Sequence, residues 1–128
     1  MRYLLDSHVF LWWCANSSKL SPTVFELIKR GDSSIYISLV SIRDIQIKSQ
    51  LGKVDLPLPI VDIFSQQQAE HNIGLLAIEL HHMKAMTNLP NHHVDPFDRV
   101  LISQAIAEDM ILITNDPNIA KYPVKVLW

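Results

Sequence analysis

Short leucine-rich or β-branched runs and helix-length amphipathic segments take turns along this chain. That alternation constrains the fold more than any other feature. A strand covered on both faces reads as a near-continuous apolar run, and helices must supply the cover. RYLL (Arg2–Leu5), SIYIS (Ser34–Ser38), LLAI (Leu75–Ile78), MILIT (Met110–Thr114) and VKVL (Val124–Leu127) read as strands. Between the first two, the sequence predicts a short helix over Val9–Ala15. A second helix has Ser21 as N-cap and Pro22 in its first turn, and runs to Arg30 with Gly31 as its stop. Further helices are expected over Ser41–Gln50, Ile60–His71, Glu79–Asn88 and Pro96–Glu108, the last with Phe97, Leu101, Ile102, Ala105 and Ile106 on one face. VDLPLP (Val54–Pro59) and LPNHHV (Leu89–Val94) read as connections. The fold class is α/β, a parallel sheet between helices, in one domain over residues 1–128.

Composition narrows the function. A hydrophobic fraction of 48% supports a core, and with 3 glycines and no low-complexity tract the chain does not read as disordered. The net charge of −2 argues against holding nucleic acid by broad phosphate neutralisation, but leaves room for a nuclease whose positive charge comes from bound metal. The lone Cys14 has apolar neighbours and reads as a buried, inert thiol, in keeping with a reducing, cytoplasmic setting. Asp6 and His8 interrupt the apolar N-terminus, so it is a poor signal peptide, and no stretch has the length of a membrane span.

In parallel sheets, sites gather beyond the carboxyl ends of the strands. Asp6 follows the first strand and Asp116 follows MILITN. Asp6 is the hardest acid to assign to a merely structural role, because apolar residues flank it. Asp116 lies in NDPN, an ordinary turn composition. Asp95 before Pro96 reads as an N-cap, and Asp98 then falls in the first helical turn, where the helix dipole alone favours an acid. Asp44 follows Ser41 at capping-box spacing. Four acids at strand ends and helix starts also suggest one pocket, whose crowded charge needs protons or a cation such as Mg²⁺. The adjacent pairs His81-His82 and His92-His93 lack the spacing of a zinc motif and are not expected to hold metal.

The stretches YLLDSHVFLWW, SIRDIQIKSQLGKVDLPLP and HHVDPFDRVLISQAIAEDMILITND, and the ending VKVLW, resemble in that order a PIN-domain ribonuclease of the VapC toxin type. The resemblance spans nearly the whole chain. It implies a parallel sheet of about five strands and cleavage of RNA phosphodiesters with Mg²⁺ or Mn²⁺ held by acids. It also implies pairing with a small antitoxin protein that blocks the site. Residue by residue, those acids are Asp6, Asp44, Asp98 and Asp116, leaving Asp95 as the cap. Ser7 stands where the family usually has Thr. Asp44 stands where it has Glu, and Arg43 where it has Trp. Arg43 and Arg99 lie near enough in sequence to contact phosphate or simply to be solvated.

A homodimer with an apolar groove for the antitoxin is also expected, because FLWW (Phe10–Trp13) carries more aromatic surface than a short helix face buries. The alternative to an enzyme is a catalytically weakened PIN-fold binding module, with Asp44 as the weak point. A phosphoacceptor signalling domain fits poorly, since that class has adjacent acids after its first strand.

Overall fold

The computed structural model describes residues 1–92 and 95–128. Its chain order is β1 (Arg2–Leu5), α1 (Ser7–Cys14), α2 (Pro22–Arg30), β2 (Ser34–Ser38), α3 (Leu39–Gln50), α4 (Ile60–His71), β3 (Gly74–Leu76), α5 (Leu80–Met86), α6 (Pro96–Ala107), β4 (Ile111–Ile113), a 3₁₀ turn (Ile119–Lys121) and β5 (Val126–Leu127). All strand pairings are parallel, in the order β3-β2-β1-β4-β5. From β1 the chain first builds outward through β2 and β3, then returns to β1's other side for β4 and β5. The direction of winding thus reverses between β1 and β4. That is the topological switch point, where open parallel sheets leave a crevice.

Period-two alternation assigns the two faces. Leu5, Ile35, Ile37 and Ile113 pack with Val9, Phe10, Val24, Ile28, Ile45 and Ile63 on the face covered by α1 to α4. Leu4 and Leu112 pack with Leu101, Ile102, Ala105, Met110 and Ile119 on the face covered by α6 and the 3₁₀ turn. Leu4 and Leu5 are both fully buried, though they point in opposite directions. This is why the central strands carry no polar alternation.

Several boundaries differ from the sequence expectations, each for a local reason. Helix α3 starts at Leu39 because Ser38, not Ser41, is its cap, accepting the Val40 N–H at 3.1 Å. Strand β3 ends at Leu76, since the Ala77 carbonyl accepts the Gln104 amide at 3.2 Å instead of continuing a ladder. On α6, Ile106 is exposed, and Ser103 and Gln104 are buried in its place. The Gln104 side chain is satisfied there, accepting the Ser38 hydroxyl at 2.5 Å. The expected loop Leu89–Val94 includes His93 and Val94, which lie outside the described residues, as does half of the His92-His93 pair. None of the described helices is long and apolar enough to cross a membrane.

Candidate active site

The carboxyl ends of β1 and β4 are tied together by one side chain. Asp6 is buried and extended at the end of β1, and its backbone N–H still reaches the Ile113 carbonyl at 3.0 Å. Its Oδ1 accepts the Ser7 N–H at 2.7 Å, so Asp6 is also the N-cap of α1. Its Oδ2 accepts the Thr114 hydroxyl at 2.8 Å. The same Thr114 oxygen accepts the Asp116 N–H at 3.1 Å. Thr114 thus fixes Asp6 and Asp116 to one another across the switch point. Asp116 accepts the Asn118 N–H at 2.9 Å and closes the turn its composition foretold.

Helix α6 delivers the third acid. Asp95 Oδ1 accepts the N–H groups of Phe97 (2.8 Å) and Asp98 (3.1 Å), so Asp95 is the cap, as expected. With its backbone N–H held by that cap, Asp98 leaves its own carboxylate for other work. Helix α3 carries the fourth acid. Because α3 begins at Leu39, Asp44 is not the third residue of a capping box, and that structural reading is withdrawn. Asp44 sits buried in mid-helix and pairs with Lys48 Nζ at 3.3 Å, one turn on. One turn before it, the buried Ser41 hydroxyl has no hydrogen-bond partner among the described residues.

The charges of Asp6, Asp44 and Asp116, each from another segment, all reach Asp98. The Asp98 carboxyl is pushed up to about 7, first by burial and then by the charges of Asp6, Asp95, Asp116 and Asp44. Burial also raises Asp6; His8, Thr114 and Ser7 oppose this and Asp116 adds to it. Hard oxygen donors whose negative charge is only partly compensated are the set a divalent cation such as Mg²⁺ or Mn²⁺ takes. The donor chemistry therefore fits. Among the described residues, no three of the four aspartates bring ligand atoms within 4.8 Å of one another. A cation would draw some of them inward or reach them through water.

Two neighbours were missed in the sequence. Thr114 ends an apolar strand and reads as part of it. His8 interrupts an apolar run, yet its Nδ1 is 3.3 Å from Asp6 Oδ2 and its Nε2 is 3.0 Å from Asn115 Oδ1. Of the two candidate phosphate contacts, Arg99 is already committed, donating to the Pro90 carbonyl at 3.0 Å and the Tyr122 hydroxyl at 3.2 Å. Arg43 is exposed and donates to its helix neighbour Gln46 Oε1 at 2.6 Å.

Behind the site, α1 carries Trp12 and Trp13. Both are half-buried. Trp13 donates to Gln67 Oε1 at 2.7 Å and packs on Phe25 and His71, and Trp12 packs on His8 and Trp128. Trp12, Leu11, Val54, Leu56, Leu58 and Ile63 line an apolar groove of about 540 Å³. Cys14 also borders it, and burial pushes its thiol up to about 12, so it is inert as expected.

A sequence model of the PIN domain family matches residues 3–125. The chain is 29% identical over 114 residues to Ribonuclease VapC22 of Mycobacterium tuberculosis (strain ATCC 25618 / H37Rv), which covers 88% of this chain and 85% of that protein. In structure it is similar to VapBC2 from Rickettsia felis, solved bound to a promoter DNA fragment, with a TM-score of 0.76 and 16% identity over 99% of this chain and 98% of that one. It is also similar to DNA-bound VapBC from Salmonella typhimurium, with a TM-score of 0.69 and 11% identity over 99% and 97%. At these identities the structural likeness is one of fold.

Proposed function

Because the chain belongs to the PIN domain family, we propose that it is a divalent-metal-dependent endoribonuclease, the toxin of a type II toxin–antitoxin pair. One observation carries this reading: Asp98 is held near neutral pH by burial and by aspartates from three other segments. A fold that merely needed a helix cap already has one in Asp95. The resemblance to a VapC ribonuclease supplies the reaction, hydrolysis of RNA phosphodiesters.

Asp6, Asp98 and Asp116 would hold Mg²⁺ or Mn²⁺, with Asp44 as the fourth acid. When bound, the cation supplies Lewis-acid polarisation of the phosphate and a lowered pKa for water. The protein's part is preorganisation. Ser7 and Thr114 fix both oxygens of Asp6, Thr114 aligns Asp116, and Asp95 sets the first turn of α6 so that Asp98 faces the other acids. Arg43, exposed one residue before Asp44, would meet backbone phosphate. Single-stranded loops are the RNA class whose bases such a site can read.

The partner proposed is a small antitoxin protein, in keeping with the VapBC complexes that share the fold. The groove beside Trp12 offers it an apolar seat. The protein is proposed to act in the cytoplasm as a homodimer. Trp12→Ala should weaken antitoxin binding at least tenfold while the chain stays folded; unchanged affinity would place the interface elsewhere.

The Lys48–Asp44 pair favours one alternative, a PIN fold kept as the antitoxin's partner with a weakened site, because Lys48 already neutralises an acid. Cleavage of unstructured RNA by the purified chain, with Mg²⁺, with Mn²⁺ and with a chelator, decides between them. Cleavage that the chelator stops and Asp6→Asn removes supports the enzyme. Antitoxin binding without any cleavage supports the binding module.

A further inference from the structure

Four side chains that the proposed reaction does not use meet at the opposite end of α6 from Asp98. They are Glu79, His81 and His82 from the β3–α5 segment, and Glu108 at the C-cap of α6. One ligand atom from each lies within 4.8 Å of the others. Glu108 Oε2 is 2.6 Å from His81 Nε2 and 2.9 Å from His82 Nε2, and His81 Nδ1 is 3.2 Å from Glu79 Oε2. Ten helical steps separate this cluster from Asp98, roughly 15 Å at 1.5 Å per residue. The sequence spacing had argued against histidine ligands, but the fold supplies from α6 the carboxylate that the local sequence lacks.

The two histidines are not equivalent. His82 is fully buried and its Nδ1 accepts the Glu79 backbone N–H at 3.0 Å. A neutral ring accepting there carries its proton on Nε2, which donates to Glu108. That nitrogen has no lone pair left for a cation. His81 is half exposed, both its nitrogens face carboxylates, and no backbone group fixes its tautomer. Glu108 is steered from two further sides, by His82 and by Arg2, whose Nη1 lies 3.7 Å from Oε1.

We propose that Glu79, His81 and Glu108 form a surface site for a borderline divalent cation, Zn²⁺, with His82 orienting the Glu108 carboxylate. One imidazole nitrogen, two carboxylate oxygens and a water make an open donor set that Zn²⁺ takes readily. Mg²⁺ prefers all-oxygen surroundings, so the aspartates at the other end of α6 suit it better. Carboxylate ligands are themselves hydrogen-bonded in metal sites, which is the part His82 and Arg2 play. The cation would clamp α5 to the end of α6. Helix α5 is only 7 residues long and already packs on α6, so the cation would fasten a contact that the fold makes.

The test uses the full chain carrying Asp6→Asn and Asp98→Asn, which silences the catalytic acids as competing sites. Zn²⁺ is titrated in by calorimetry, and melting is followed with and without it. One equivalent should bind and raise the melting temperature, and Mg²⁺ at the same concentration should do neither. Adding His81→Ala, or separately Glu79→Gln, should weaken Zn²⁺ binding at least tenfold and remove the rise. Both side chains are half or more exposed, so each variant should stay folded without zinc, and the rise is read against its own zinc-free melt. His81→Ala in the otherwise native chain should leave RNA cleavage unchanged. No zinc binding in the silenced chain, or binding as tight after His81→Ala, overturns the site.

Discussion

Asp98 and Glu108 stand in the first turn and at the C-cap of the same helix, and their surroundings act on them in opposite senses. Asp98 is raised to about 7 by burial among like charges. Glu108 is lowered by hydrogen bonds from His82 and His81. At the amino end of the sheet, cations and N–H donors meet the carboxylate charge. At the carboxyl end, Lys48 pairs with Asp44 and His8 with Asp6, and among the described residues no basic side chain pairs with Asp98 or Asp116. A protein that needed both ends only for stability would compensate both. The less compensated negative charge thus lies where the topology opens a crevice, as the proposed cation site requires.

The sharpest way to break the contrast is to discharge the crowded end. Asp6→Asn should lower RNA cleavage by about a hundredfold or more, since the metal contribution is worth several kcal/mol. Asparagine is as good an N-cap as aspartate, so α1 keeps its cap. With repulsion relieved, the melting temperature should be unchanged or higher. Undiminished cleavage at saturating Mg²⁺ would remove Asp6 from the site.

Within that end, Asp95 and Asp98 should separate by role. Asp95→Ala removes two N–H acceptances and should cost roughly 0.5–2 kcal/mol, a melting point lower by roughly 2–8 °C, with most activity surviving in the folded protein. Asp98→Ala should abolish cleavage with little loss of stability. Paired melting and cleavage assays show which residue is cap and which is ligand.

The two ends of α6 should also titrate in opposite directions. A carboxyl raised in the folded state binds protons that the unfolded chain has released. Metal-free stability should therefore fall as pH rises from about 4, the unfolded range, to about 7. Mg²⁺ should offset the loss, and Asp98→Asn should flatten it. Glu108 is lowered, so its contribution is present above the ordinary glutamate range and is lost as pH falls through its folded value. Glu108→Gln should remove part of the acid-side loss and leave the neutral-side slope intact. Chelated melts across pH 3.5–8 on the three proteins check both signs.

The smallest effect expected is at Asp44. Asp44→Glu adds one methylene of reach from mid-α3 and should loosen the pair with Lys48. The Mg²⁺ concentration for half-maximal cleavage should fall a few-fold. A slower enzyme with weaker metal dependence would show that Asp44 is already a fitted ligand.

The strands, the main helices and the parallel arrangement were legible because burial on both faces leaves apolar runs that only a covered sheet explains. Asp6 and Asp95 were legible for a similar reason: each breaks or opens an apolar segment where polar groups need a purpose. Resemblance, rather than spacing, separated Asp98 from a simple dipole partner, since an acid in a first turn looks the same either way. The Thr114 link was hidden because a threonine at the end of a strand is ordinary β composition. The Glu108–histidine cluster was hidden because Glu108 lies 26 and 27 residues from the two histidines and meets them only when α5 packs on α6. The start of α3 was misplaced because Ser38 and Ser41 are both good caps, and the sheet register decides between them.

The central claim is that Asp98 is poised by its neighbours for a cation. Its side-chain carboxyl carbon can be followed by NMR through a pH titration, with Asp98 assigned from the Asp98→Asn spectrum. Without metal the midpoint should lie near 7, and saturating Mg²⁺ should move it down into or below the ordinary carboxylate range. A midpoint near 4 that Mg²⁺ leaves in place would contradict the account, and Asp98 would then be no more than a helix-start acid.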